Sequence, residues 1–214
     1  MKAIVLGASG LIGGELIRLL SADPDVESIR IVTRRPLNVH LPKLEERVID
    51  LNNNEQVEEV VDKGAWVFSC VGTTQKQVKG DRDAYRKIDH AITLRAGRAC
   101  LIKGAACFSF VSSGGANAKS SNFYLRLKGE IEEDAAALGL PSLVIMQPSL
   151  LLGKRSVFRP GERLAQFVMP RLSFLFPPNF RPVRAVAVAE AMIRYSKKVA
   201  AGCTIVENRD ILSG

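Results

Sequence analysis

The chain has 214 residues, of which 47% are hydrophobic and 24% charged, a composition typical of one globular domain. Its four cysteines and two histidines are scattered without metal-ligand spacing, so we expect no metal site, and no apolar run reaches the roughly 18 residues of a membrane span. The formal net charge of +8 comes without basic runs or interleaved aromatic residues, which favours a phosphate-rich cofactor over nucleic acid as the reason for the basic excess.

Short apolar runs alternate with helical periods through residue 146. The predicted strands cover residues 3–6, 29–33, 47–49, 65–71, 107–111 and 142–146, and the predicted helices cover residues 11–20, 56–61, 82–103 and 123–138. Continuous apolar strands that alternate with helices indicate parallel strands buried on both faces. The predicted fold is therefore α/β, a Rossmann-type doubly wound parallel sheet with helices on both faces.

The alternation ends at Pro148, and prolines recur from there to residue 182. We expect residues 148–184 to form a small irregular lobe on the substrate side, with one helix near residues 161–175. A helix over residues 183–198 and a strand over residues 204–206 then close what we expect to be a single domain, residues 1–214.

A glycine-rich turn follows the first predicted strand and opens the first helix. Gly7 allows a tight turn, Gly10 lets the backbone approach a pyrophosphate, and Gly13 lets the helix pack closely on the strand. The first N–H groups of the helix and its positive dipole end would hold the phosphates. The predicted dinucleotide-binding residues here are Gly7, Ser9, Gly10, Leu11, Ile12 and Gly13.

Two arginines follow the second predicted strand. An NAD-specific protein usually ends this strand with Asp or Glu, which holds the ribose 2′-hydroxyl. Arg34 and Arg35 would instead pair with a 2′-phosphate, so the predicted cofactor is NADP(H); the alternative is that both are solvated surface charges. The ends of the third and fourth strands supply the remaining predicted contacts to this half of the cofactor: Asp50, Leu51, Val71, Gly72 and Thr73.

Tyr124 and Lys128 are four residues apart on a predicted helix and so share one face. Reduction of a carbonyl by hydride needs a proton donor, and a nearby lysine ammonium suits a tyrosine to this role by favouring its phenolate. The preceding strand ends in Ser112 and Ser113, and a serine hydroxyl can hold the substrate oxygen. The alternative is that this tyrosine and lysine are ordinary neighbours on a helix.

These features together resemble the short-chain dehydrogenase/reductase superfamily over nearly the whole chain. The resemblance extends to its atypical branch, which includes the Tat-interacting oxidoreductase and epimerase- and dehydratase-like proteins. The segments that carry it are residues 111–124, 127–130, 148–153, 159–162 and 207–208. The resemblance implies a Rossmann core, NADPH binding and a Ser–Tyr–Lys site.

The resemblance also assigns roles by position. It implies that Tyr124 is the proton donor and that Lys128 both supports it and holds the nicotinamide ribose. It implies that Ser112 or Ser113 orients the substrate, and spacing does not choose between them. Pro148 and the backbone after it, including Leu150, would flank the nicotinamide. Asp89 stands where many family members have an asparagine of the proton relay.

The sequence thus predicts an NADPH-dependent oxidoreductase that transfers hydride to or from a small carbonyl or alcohol. One alternative is an NADP(H)-sensing protein with little or no turnover, whose basic segment 154–184 contacts a protein partner. A nucleotide-sugar epimerase-like enzyme, the third interpretation, usually needs a larger C-terminal substrate domain. The N-terminal apolar run is too short for a secretory leader, so we expect a cytoplasmic protein without nucleic-acid or membrane partners.

Overall fold

The candidate site lies where the parallel strands of the sheet end. The computed structural model of the protein describes residues 1–74, 77–152, 177, 179 and 181–213. The strands in these ranges are β1 (Lys2–Leu6), β2 (Ser28–Thr33), β3 (Leu44–Val48), β4 (Trp66–Ser69), β5 (Cys107–Val111), β6 (Ser142–Gln147), β7 (Leu151–Leu152), β8 (Val183–Arg184) and β9 (Gly202–Glu207). Seven of them form one parallel sheet in the order β3-β2-β1-β4-β5-β6-β9, while β7 and β8 pair separately.

Helices cover both faces of this sheet. They are α1 (Leu11–Ala22), α2 (Asn54–Glu59), α3 (Arg82–Lys103), α4 (Phe123–Ala137), α5 (Ala185–Lys198) and α6 (Asn208–Leu212). The helices α1 and α5 pack against each other and share one apolar core with the sheet, whereas α2, α3 and α4 share the core on the opposite face. The central strands β1 and β4 are buried almost throughout, as expected for strands covered on both sides. The predicted α/β doubly wound fold is confirmed.

Polar side chains set where the helices of the second layer begin. Asn53, Asp81 and Asn122 precede α2, α3 and α4, and each accepts a hydrogen bond from a backbone N–H in the first turn of its helix. The Oδ1 atom of Asn122 accepts from the backbone N–H of Tyr124 at 2.9 Å. This cap therefore fixes Tyr124 in the first turn of α4.

The structure differs from the sequence prediction at the edges of the sheet. The third strand is Leu44–Val48 rather than residues 47–49, and it pairs with β2 alone. Edge strands tolerate charged side chains because they pair with a neighbouring strand on one side only. Glu45 and Glu46 interrupt the apolar pattern here, so the sequence did not predict this part of the strand. The last strand, β9, is also longer than predicted and lies at the other edge. The helix predicted near residues 161–175 and most of the predicted lobe lie outside the described residues.

The order of the strands locates the candidate site. From β1 the chain moves to β2 and β3 on one side, and it then returns to β4 on the other side of β1. In open α/β sheets, ligands bind beyond the carboxyl ends of the strands at such a reversal. A ligand site is therefore expected at the residues that follow β1, β2 and β4.

Candidate functional site

A groove of about 710 Å³ opens at the carboxyl ends of β1, β2 and β4, where the strand order reverses. Its wall contains many of the residues that the sequence assigned to a cofactor. These are Gly7, Ser9, Gly10, Arg34, Arg35, Leu51, Val71, Gly72 and Thr73. Residues that follow four strands, β1, β2, β3 and β4, thus form one continuous surface.

Sequence reasoning missed about half of the groove wall. The additional lining residues are Val32, Thr33, Leu37, Cys70, Gln77, Val78, Ile88 and Ile92. Ile88 and Ile92 lie one turn apart on α3, so one face of this helix contributes to the groove as well as to the core. Their spacing was visible in the sequence, but spacing cannot show which neighbour a helical face meets.

The turn after β1 needs glycine because backbone segments meet there. Gly7 has a φ of 82°, and a Cβ atom at this position would lie 2.6 Å from the carbonyl carbon of Cys70. A Cβ atom at Gly13 would lie 2.2 Å from the carbonyl oxygen of Gly7. The first turn of α1 can therefore rest directly on the end of β1.

The beginning of α1 offers free hydrogen-bond donors. Gly10 precedes the helix without any side-chain cap, and the first turn has no acidic residue. The first N–H groups of a helix have no partner within it, so they can bind an anion. Of the other residues predicted here, Ser9 is exposed, Leu11 is half-buried and Ile12 has its side chain in the core.

The two arginines after β2 are exposed at the mouth of the groove. Among the described residues, no carboxylate lies within ion-pair distance of Arg34 or Arg35, so their charges face the groove and solvent uncompensated. The end of β3 is different, because Asp50 is exposed and uses its own Oδ1 to accept the backbone N–H of Asn52 at 2.9 Å. Asp50 does not line the groove, whereas the adjacent Leu51 is buried and does.

Lys128 is buried in an ion pair with Asp89. The side chains are 7% and 1% exposed, and Nζ of the lysine lies 2.9 Å from Oδ2 of the aspartate. The second carboxylate oxygen of Asp89 accepts the backbone N–H of Thr73 at 2.7 Å. Since Thr73 lines the groove, this pair links α3 and α4 to the groove wall.

Two tyrosines meet at this point and differ in their surroundings. The Tyr85 hydroxyl donates to the carbonyl of Thr73 at 2.9 Å, and its ring packs edge-on against Tyr124 with the centroids 6.4 Å apart. Burial, and then the nearby charge of Asp89, raise the pKa of Tyr85, so this hydroxyl stays protonated. Tyr124 is half-buried, and its hydroxyl has no hydrogen-bond partner among the described residues. Nζ of Lys128 lies 6.0 Å from the Tyr124 ring centroid.

The two serines after β5 also differ. Ser112 is buried and its hydroxyl donates to Glu132, which lies one turn after Lys128 on α4. The same carboxylate accepts the side-chain amide of Gln147 at 2.9 Å, and burial raises the pKa of Glu132 above its ordinary value. Ser113 is half-buried and makes one long contact of 3.4 Å to the Gly114 carbonyl. Neither Glu132 nor Gln147 was expected from the sequence.

The end of β6 lies beside these serines. The buried Pro148 accepts the backbone N–H of Gly114 through its carbonyl at 2.8 Å. Leu150 is 53% exposed, and neither residue lines the groove. The basic segment 154–184, which the sequence offered as a partner surface, lies mostly outside the described residues.

The sheet and the glycine turn define a Rossmann-type α/β fold, like that of several solved epimerases and dehydrogenases. The structure of MoeE5 in complex with UDP-glucuronic acid and NAD aligns with a TM-score of 0.74 at 17% identity, over 96% of this chain and 75% of that one. A UDP-N-acetylglucosamine 4-epimerase from Bacillus cereus aligns with a TM-score of 0.70 at 16% identity, over 97% and 78%. These likenesses show the fold.

Sequence relatives give the family. Residues 2–81 match the family described as semialdehyde dehydrogenase, NAD binding domain. The chain is 36% identical to the mitochondrial protein FMP52-1 of Scheffersomyces stipitis over 72% of its own length and 69% of that protein. It is 31% identical to the mitochondrial protein FMP52 of Candida albicans, over 78% and 75%. The chain belongs to the FMP52 family.

These relatives correct one expectation. The sequence predicted a cytoplasmic protein, and that prediction is wrong, because the FMP52 relatives are named mitochondrial. It rested on the shortness of an apolar leader, whereas mitochondrial import signals are amphipathic and basic. No helix in the described ranges is both long and apolar enough to span a membrane. The resemblance to epimerase-like proteins is confirmed for the fold alone, and the Tat-interacting branch stays a prediction.

Neighbouring glycines in α1 allow a matched test of the close approach between helix and strand. Gly13→Ala should lower the free energy of unfolding by about 1–3 kcal/mol, because the new Cβ overlaps the Gly7 carbonyl oxygen. Gly14→Ala should be neutral or raise it by about 0.5–1 kcal/mol, since its Cβ would lie 3.8 Å from the Ala8 oxygen. Urea unfolding followed by circular dichroism measures both; equal effects would contradict this account.

The buried ion pair predicts a second difference in stability. Asp89→Asn keeps an acceptor for Thr73 but removes the ion-pair partner of the buried Lys128 ammonium, so the free energy of unfolding should fall by about 3 kcal/mol. Asp134→Asn is the control, because that carboxylate pairs with His90 across the same two helices while 55% exposed. The control should change stability by about 0.5 kcal/mol or less in urea unfolding. If the two variants lost equal stability, the ion pair of Lys128 and Asp89 would not have the structural importance given to it here.

Proposed function

We propose that this chain is an NADP(H)-dependent oxidoreductase that transfers hydride to or from a small carbonyl or alcohol, with Tyr124 as the proton donor. The observation that carries the proposal is the buried link between groove and helix. Thr73 lines the groove and donates to Asp89, and Asp89 pairs with Lys128. This link supports a tyrosine–lysine pair that acts at the edge of the groove.

The groove residues suit a dinucleotide that carries a 2′-phosphate. The uncapped start of α1 and the glycine turn would hold the pyrophosphate, as a helix N-terminus does in this fold. Arg34 and Arg35 would hold the 2′-phosphate, since no described carboxylate competes for them. Leu51 and Ile92 would provide apolar walls for the adenine.

Hydride is the chemistry that the nicotinamide supplies when bound. As the substrate carbonyl becomes an alkoxide, the Tyr124 hydroxyl donates its proton to that oxygen. The Lys128 ammonium then stabilises the phenolate that remains, and Asp89 keeps this ammonium in place. Tyr85 serves as the fixed neighbour that holds the Tyr124 ring.

Between the two serines, we assign substrate orientation to Ser113. Ser112 is only 4% exposed, and its hydroxyl already donates a hydrogen bond to Glu132. Ser113 is more accessible, and its contact to Gly114 is long enough to be exchanged for one to a substrate oxygen. Pro148 and Leu150 follow β6 on the same side and would flank the nicotinamide.

Similar proteins support the dinucleotide-binding part of this proposal. The family described for residues 2–81 is NAD binding, and solved structures of similar fold contain NAD. Some of these structures also contain UDP-sugars, so a substrate screen should include UDP-sugars beside simple aldehydes and ketones. The names of the FMP52 relatives support a mitochondrial setting.

A second function is favoured by one observation. The charge of Lys128 is neutralised by Asp89. At the position of Asp89, many short-chain dehydrogenases have an uncharged asparagine. A lysine held in this way also suits a protein that binds NADP(H) and passes the bound state to a partner without turnover. A sensor of this kind predicts tight NADPH binding, no NADPH oxidation across the substrate panel, and partner recovery only with the cofactor present.

Replacement of the proton donor tests the oxidoreductase. Tyr124→Phe should lower kcat by about a hundredfold or more and leave the dissociation constant for NADPH unchanged, because only the proton donor is lost. Tyr195→Phe is the matched control, since this tyrosine lies near the end of α5 against Arg194 and Lys198. Stopped-flow oxidation of NADPH and fluorescence titration give the two quantities. Wild-type turnover in the Tyr124 variant would refute the mechanism.

The cofactor preference is tested at the arginines. Arg34→Ala and Arg35→Ala should each weaken NADPH binding about tenfold, because each removes a charge-assisted contact to the 2′-phosphate, and should leave NADH binding unchanged. Arg47→Ala is the control, since this exposed arginine on β3 pairs with Glu45. Calorimetric titration of both nucleotides measures the ratio. A wild-type preference for NADH would remove the basis for the 2′-phosphate assignment.

A further inference from the structure

One carboxylate oxygen binds both ends of the arginine segment. The Oε1 atom of Glu46, on β3, accepts the Thr33 hydroxyl at 3.1 Å and the Leu37 backbone N–H at 2.7 Å. Thr33 is the last residue of β2, and Leu37 follows Arg34, Arg35 and Pro36 directly. A single side chain thus closes a three-residue segment into a loop fastened at both ends.

This fastening matters most at the Leu37 end, because Thr33 is also held by the pairing of β2 with β3. Both arginines are exposed, and among the described residues neither forms an ion pair. Their side chains start from backbone positions that the Glu46 contacts define, and Thr33 and Leu37 themselves line the groove. A flexible loop would have to be ordered when a ligand binds, and that ordering weakens affinity.

The position of this carboxylate is also informative. A protein that selects NAD usually presents a carboxylate to the ribose at the end of the second strand. Here Glu46 lies on the third strand instead, and its Oε1 is occupied by two donors of the loop. Glu46 therefore supports the arginine loop through bonds of its own instead of leaving Oε1 open to a ribose.

We propose that Glu46 is a positioning residue for cofactor selectivity: by binding Thr33 and Leu37 it holds Arg34 and Arg35 where they grip a 2′-phosphate. The inference rests on the proposed function, because it concerns the same cofactor. It adds a residue outside the groove wall that sets the preference for the phosphorylated dinucleotide. Its effect reaches the ligand only through the loop.

The test compares three variants by calorimetric titration with NADPH, NADH and 2′,5′-ADP. Glu46→Ala should weaken NADPH and 2′,5′-ADP about tenfold and leave NADH unchanged, because only the 2′-phosphate would pair with the two arginines. Glu46→Gln should restore wild-type selectivity, since its amide oxygen still accepts both donors. Glu45→Ala is the matched control, as this neighbouring carboxylate pairs with Arg30 and Arg47.

The outcomes separate this inference from the proposed function. If the wild type binds none of the three probes, or prefers NADH, the proposed function fails. If the wild type prefers NADPH but Glu46→Ala keeps the same NADPH-to-NADH ratio, or weakens both equally, the role of Glu46 is refuted alone. Should Glu46→Ala not fold, Thr33→Val removes one of the two contacts and should reduce the ratio in the same direction; an unchanged ratio there also refutes the proposal.

Discussion

The buried pair of Lys128 and Asp89 is the contact on which the arrangement of the site depends. Moving two charges out of water is costly, and a buried pair rarely adds net stability over apolar residues of the same size. It does restrict geometry, because breaking either half leaves an unpaired charge in the interior. Here the pair joins α3 to α4, and through Thr73 it joins both helices to the groove. The position of the lysine is therefore coupled to the wall of the groove.

Two tyrosines and two serines lie around this pair, and in each case one hydroxyl has a strong hydrogen bond within the protein while the other does not. Tyr85 donates to a backbone carbonyl of the groove, while the hydroxyl of Tyr124 has no described partner. Ser112 donates to Glu132, while Ser113 has one long contact. In both cases the more buried residue is the engaged one, since burial requires its hydroxyl to find a partner. The less buried copies, Tyr124 and Ser113, lie at the start of α4 and just after β5, and their hydroxyls are the ones with room for another contact.

The sequence predicted the parts of the site that need only one element or one strand end. The spacing of Tyr124 and Lys128 is enough to place them on one helical face, and the glycine turn follows directly from the first strand. The third strand was misplaced because its charged residues resemble a loop, although an edge strand can carry them. Contacts between elements that are far apart in the chain produce no recognisable pattern in the local sequence. Spacing alone relates neither Asp89 to Lys128 nor Ser112 to Glu132, and these contacts decide which groups remain available.

The same distinction between engaged and available groups applies to charge. Asp89, Glu132 and Glu46 each accept hydrogen bonds or an ion pair from the protein itself. Arg34 and Arg35 pair with no described carboxylate, in a chain whose net charge is +8. Uncompensated positive charge at the mouth of a groove attracts the more anionic of two ligands before any contact forms. Attraction of this kind acts on phosphate anywhere on the ligand, so it does not by itself determine which phosphate the arginines contact. Selectivity for the 2′ position requires the arginines to be held at a fixed place relative to the ribose, which is a property of the loop backbone and not of the number of basic residues.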